Sequence, residues 1–129
     1  WQDYITTSVL LPIYLATSAV SLGAGVSKNS YVVASSLTIT ASGSSSNIDI
    51  GNATKVMALI NVTYYTTTFT IYLNAYEPNL GFSATLAYVT PGGTGGYTLY
   101  ADGVMTPYVN VSWGNVNGTA VVQIVLWYG

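Results

Sequence analysis

The sequence predicts an all-β domain, an antiparallel Greek-key sandwich of the Ig-like or pilin-like kind, on three observations. Apolar residues recur with period two after residue 30, turn signals separate those runs, and no segment beyond residue 30 carries a 3.6-residue period. At 129 residues the chain makes one domain with room for a real core.

The opening segment, Ile5 to Leu15 (ITTSVLLPIYL), is uncharged, apolar and β-branched, and it admits three readings. As a strand, it places Ile5, Val9, Leu11, Ile13 and Leu15 on one face, with Tyr4, Thr6, Ser8 and Tyr14 largely on the other. That strand can belong to the chain's own sandwich, with Pro12 at an edge or with its missing N–H turned from the ladder. It can instead complete a neighbouring copy. A sandwich short of one strand leaves an apolar groove and an unpaired edge, and a terminal strand from the next copy supplies both ladder hydrogen bonds and apolar knobs. Repeated head to tail without closure, that contact builds an open filament. The third reading is an apolar helix like that of type IV-like pilins, because Tyr4 to Ser27 is uncharged and exceeds the ~20 residues that span a bilayer. Pro12 and the many Ser, Thr and β-branched residues weigh against it. The terminal position and the small-residue stretch LGAGVSKNS favour a tail strand, dividing the chain into a donor strand over 1–21, a hinge over 22–30 and a sandwich head over 31–129.

Five strands of the head follow from alternation. Leu37, Ile39 and Ala41 alternate with threonines, and Phe69, Ile71, Leu73 and Ala75 alternate with Thr70, Tyr72 and Asn74. The pattern returns in Phe82 to Tyr88, in Val109 to Trp113, and in Ala120 to Tyr128. Turns are expected at SGSSSN (42–47), EPNLG (77–81), PGGTGG (91–96) and NVNG (115–118). Asn117-Gly118 between two alternating runs predicts a type I′ hairpin.

Charge is scarce. Lys28 and Lys55 stand against Asp3, Asp49, Glu77 and Asp102, a formal net charge of −2. Two cations are too few to read a phosphate backbone, which excludes nucleic acid as a partner. The chain has no His, Cys or Arg, so the usual general base, thiol nucleophile, soft metal ligands and bidentate anion clamp are all missing. We expect no enzymatic activity, no catalytic residues, no metal and no cofactor. Asp49, Glu77 and Asp102 are candidates for a paired-carboxylate site. Their place in turns assigns them to solvation and local capping, and their spacing does not make a calcium loop.

A surface so poor in charge stays soluble through hydroxyls, attached sugar, or burial in an assembly. Asn-x-Ser/Thr acceptors stand at Asn52 (NAT), Asn61 (NVT), Asn110 (NVS) and Asn117 (NGT). Asn52 and Asn117 fall in turns, while Asn61 and Asn110 alternate with Ile60/Val62 and Val109/Val111, so all four are expected to meet solvent and carry N-glycans. The plain alternative is turn and strand asparagines. Tyr64, Tyr65, Tyr72, Tyr76, Tyr88, Tyr97, Tyr100 and Tyr108 either line a sugar-binding face or bridge core and surface, as strand aromatics do. The first residue is Trp, from which we expect export by a cleaved signal peptide and an extracellular home.

This plan resembles the archaeal extracellular thread filaments, whose small N-glycosylated β-rich subunits join head to tail by donor-strand complementation, similar in architecture to bacterial type I pilins. The resemblance covers WQDYITTSVLLPIYL as tail, the hinge, and the strand-rich head. It implies a structural, non-enzymatic filament subunit at the cell surface, serving adhesion or biofilm formation, with copies of itself as partner and no membrane in the assembled form. It implies Ile5, Val9, Leu11, Ile13 and Leu15 as the donor face and Asn52, Asn61, Asn110 and Asn117 as sugar sites. The alternatives are a type IV-like pilin with an N-terminal helix and a secreted carbohydrate-binding or adhesive β-domain.

Overall fold

The computed structural model describes residues 28–129. The tail, with Ile5, Val9, Leu11, Ile13 and Leu15, and the hinge up to residue 27 lie outside the described residues.

Nine strands and no helix make up the described part: β1 (Asn29–Ile39), β2 (Gly43–Ser44), β3 (Ile48–Asp49), β4 (Val56–Tyr65), β5 (Thr70–Glu77), β6 (Phe82–Val89), β7 (Gly95–Ala101), β8 (Tyr108–Gly114) and β9 (Ala120–Tyr128). They form two antiparallel sheets. Sheet A runs β1-β9-β4-β7, and sheet B runs β2-β8-β5-β6 with β3 also paired to β8. The chain is thus an all-β Greek-key sandwich, and its strand order is that of a double-sheet jelly roll.

Alternation puts the core where the sequence predicts it. Val122, Ile124 and Leu126 of β9 pair with Val62, Ile60 and Ala58 of β4, and these six are buried together with Ala120 and Val56. From sheet B, Ile71 and Leu73 of β5 and Val109 and Val111 of β8 close on them, with Phe69 just ahead of β5. The C-terminal QIVLWY is therefore an interior strand of sheet A, between β1 and β4.

Four boundaries differ from expectation. Within SGSSSN, expected as a turn, Gly43 and Ser44 are strand β2, paired with Trp113 and Ser112. β1 begins at Asn29, where Asn29 and Ser30 pair with Tyr128 and Trp127, so the last two residues of the 22–30 window are strand. β7 begins inside the glycine-rich stretch at 91–96, with Gly95 at φ 129 opposite Val62. The Asn117-Gly118 hairpin is not formed, because β8 and β9 belong to different sheets and NVNG crosses between them. The left-handed residue there is Asn115 (φ 55). Among the described residues the hairpin is β5–β6, closed by EPNLG, with Gly81 at φ 71 and its N–H donating to the Glu77 carbonyl at 2.8 Å.

Gly118 serves a close approach. The Thr119 N–H donates to Thr66 Oγ1 at 2.8 Å and the Thr66 N–H to the Thr119 carbonyl at 3.0 Å, tying the β8–β9 crossing to the β4–β5 crossing. A Cβ on Gly118 would lie 2.5 Å from Thr66 Oγ1. Gly118→Ala is therefore expected to destabilise the sandwich by about 1–3 kcal/mol in chemical denaturation. A loss near zero would mean that Thr66 and Thr67, the side chains that such a Cβ meets, move aside freely.

Candidate functional site

The acids do not come together. Asp49 Oδ1 accepts the Gly51 N–H at 2.8 Å, Glu77 Oε1 the Asn79 N–H at 2.7 Å, and Asp102 Oδ1 the Gly103 N–H at 2.7 Å. Each carboxylate caps its own turn, as short acidic side chains do. Among the described residues there is no group of three or more acids that could hold a metal ion.

The four acceptor asparagines separate into three and one. Asn52 is exposed after the Gly51 turn (φ 58), Asn117 is exposed on the β8–β9 crossing, and Asn61 is exposed on the outer face of β4. Asn61 Nδ2 donates to Gln123 Oε1 at 2.9 Å on the neighbouring strand. Asn110 departs from the expectation of solvent: it is 6% exposed. Alternation placed it on the correct face, but β8 lies inside sheet B, with β5 on one side and β2 and β3 on the other. Asn47 and Ser83 close over it, each accepting a hydrogen bond from Asn110 Nδ2 at 2.9 Å. The atom that would carry a sugar is enclosed.

Asn110 belongs to a polar ladder across the outer face of sheet B. Thr85 Oγ1 donates to Asn74 Oδ1 at 3.2 Å, and Asn74 Nδ2 donates to Asn110 Oδ1 and to Ser112 Oγ, both at 2.9 Å. Both buried amides are fully partnered, which is what makes their burial tolerable. Tyrosine pairs flank the ladder. Tyr72 and Tyr88 lie 6.1 Å apart between ring centroids on one side, and Tyr76 and Tyr108 lie 6.4 Å apart, edge to face, on the other. Four of the eight candidate tyrosines thus share one face. The other four scatter: Tyr64 is exposed near the end of β4, Tyr65 sits 6.5 Å from Phe69, Tyr97 donates its hydroxyl to the Gly93 carbonyl, and Tyr100 stands on the outer face of sheet A. The aromatic face is present, but the amides between its rings are bonded to one another.

Two further surfaces were missed by sequence reading. The first is the β6 edge. Phe82 pairs with Glu77 and Ala84 with Ala75, which puts both on the core side of sheet B. Both are nevertheless exposed, Phe82 at 51%, because nothing pairs with the free edge of β6 in the described chain and sheet A does not cover that corner. The sandwich is open there. The second is the outer face of sheet A, where Val32, Val125 and Leu59 form one cross-strand row and Trp127, Met57 and Tyr100 another. The signal was available, since Met57 and Leu59 alternate against Ala58 and Ile60, but β4 and β9 are apolar on both faces and periodicity then names no outside.

No protein-family model matches the chain, and no curated protein matches it in sequence. Among solved structures, the SPBc2 prophage-derived protein YomS is 15% identical over 78% of this chain and 93% of its own, with a TM-score of 0.56. The PBSX exported protein XepA is 14% identical over 78% of this chain, with a TM-score of 0.61, and the match spans 37% of XepA. A subunit of Bacillus endospore appendages, described as a novel family of disulfide-linked pili, is 13% identical over 79% of this chain and 89% of its own, with a TM-score of 0.46. At these identities the first two show a shared β-sandwich fold, and the third superposes too loosely to add to that.

Proposed function

We propose that this chain is a structural subunit of an extracellular filament, polymerising head to tail, with residues 5–15 of one copy inserted as a donor strand along the β6 edge of the next. The observation that carries the reading is the open corner at β6, a full-length edge strand whose core-side Phe82 and Ala84 are exposed. An unpaired edge offers ladder hydrogen bonds, and the open corner offers apolar contacts for alternate side chains. The face formed by Ile5, Val9, Leu11, Ile13 and Leu15 has the period such a corner accepts. The other edges fit less well: β1 carries two register shifts against one in the β5–β6 ladder, and the core-side Leu99 and Ala101 of β7 are already covered.

In this reading the subunit has no catalytic role, is exported, and serves adhesion or biofilm formation. N-glycans on Asn52, Asn61 and Asn117 supply the hydration that the sparse charge does not. Asn110 is left out because its amide is enclosed.

Cryo-electron microscopy of the native filaments tests the reading. The expected result is residues 5–15 extended beside β6 of the adjoining copy. A helix at the filament axis would make the protein a type IV-like pilin, and a strand paired within its own subunit would return it to a solitary adhesive domain.

A further inference from the structure

We infer that the glycan on Asn61 lies along the outer face of sheet A, its inner rings over Leu59 and Trp127 and an acidic outer sugar at Lys28 and Lys55. The inference rests on the proposed glycosylation of Asn61 and adds what the sugar covers and what kind of sugar it is.

Leu59 is 41% exposed and Trp127 42% exposed on a sheet face that nothing in the described chain covers. A groove of about 700 Å³ runs there between β9, β4 and β7, and its lining, from Asn61 and Gly96 to Val125 and Trp127, is wholly uncharged. It continues past Trp127 into a larger groove lined by Met57 and Tyr100 and flanked by Lys28 and Lys55. Those two lysines are the chain's entire complement of cations. One end of the face is therefore neutral and aromatic, and the other holds both lysines.

Asn61 stands at the neutral end of the face. The bond to Gln123 at 2.9 Å uses one of the two Nδ2 hydrogens and holds the amide between β4 and β9. Directly across the ladder is Gly96, where even a Cβ would meet nothing within 4 Å. Space beside the amide is therefore open. At ~3.3 Å per strand residue, Leu59 lies about 7 Å, Met57 about 13 Å and Lys55 about 20 Å from Asn61 along β4, the course of a short oligosaccharide. Sugar C–H faces pack on indole and phenol rings, and a carboxylate or sulfate on an outer sugar is matched by a lysine ammonium at the far end.

Attachment forms a bond between Nδ2 and the first sugar's anomeric carbon. Nδ2 gives up one proton, and the lipid phosphate of a lipid-linked oligosaccharide donor departs with the bonding pair. The remaining Nδ2 hydrogen keeps Gln123.

The test is mass spectrometry of the native protein for occupancy and composition at Asn61, with hydroxyl-radical footprinting of Leu59 and Trp127 in filaments and in dissociated subunits. Wild type is compared with Asn61→Gln and with Thr63→Ala, which keeps the asparagine and removes the acceptor motif. The expected result is an acidic glycan at Asn61 and a several-fold rise in labelling of both residues in either variant, in filaments and subunits alike. An occupied Asn61 with unchanged labelling overturns the inference and leaves the glycosylation reading standing. A bare Asn61 overturns both at this position. A wholly neutral glycan overturns the lysine contact. Labelling that rises only on dissociation, whatever the sugar, assigns the face to a second copy and overturns the inference.

Discussion

Leu11→Asp is expected to leave the subunit folded and to abolish polymerisation. In the proposed contact Leu11 sits at the centre of the donor face, so the substitution puts a carboxylate into an apolar corner with no partner. A penalty of about 4 kcal/mol raises the critical concentration by roughly a thousandfold, which removes filaments from electron micrographs and from the sedimentable fraction. If the proposed contact holds, circular dichroism and the denaturation midpoint should be unchanged, because the donor strand would then pack in the next copy and not in its own. Ser8→Asp separates a strand from a helix. On a strand position 8 points away from the apolar row and a charge is tolerated, whereas on a helix positions 8 and 11 share a face and both substitutions block assembly. If Leu11→Asp instead unfolds the monomer, the segment belongs to its own sandwich and the filament reading fails.

Asn74→Ala carries the largest expected effect on the head itself. The side chain is buried and makes three hydrogen bonds, to Asn110, Ser112 and Thr85. Removing it strands the Oδ1 of Asn110, which is itself 6% exposed, and opens a gap between the two tyrosine pairs. An orphaned buried acceptor costs about 1–3 kcal/mol, and lost packing brings the total to about 2–4 kcal/mol. For a domain of this size that lowers the melting temperature by roughly 10–20 °C. The double variant Asn74→Ala with Asn110→Ala should lose less than the sum of the single losses, because the second change removes the stranded partner. Strict additivity, or a single loss within about 0.5 kcal/mol, would show that the ladder contributes little.

The same asparagines show where sequence reading stops. Asn110 and Asn61 look alike in sequence: each is an acceptor motif in an alternating run, each flanked by valine or isoleucine. Asn61 reaches solvent because its ladder neighbour across β7 is Gly96, which has no side chain. Asn110 is enclosed because Asn47 and Ser83 close over it, from positions 63 and 27 residues away. The β6 corner was hidden for a related reason. Phe82 and Ala84 alternate as a buried face should, and their exposure follows from sheet A leaving that corner uncovered.

Local residue order was sufficient for the all-β class, for the inward rows of β5, β8 and β9, for the β5–β6 turn, and for the capping roles of the three described acids. Each depends on neighbours within a few positions, where side-chain alternation and turn chemistry act. The jelly-roll order, the crossing of NVNG between sheets, the burial of Asn110 and the open edge at β6 were decided by the tertiary structure. Alternation says which side of a strand a residue takes, but what covers that side is supplied by segments distant in sequence, and it is cover that separates a core residue from a binding surface.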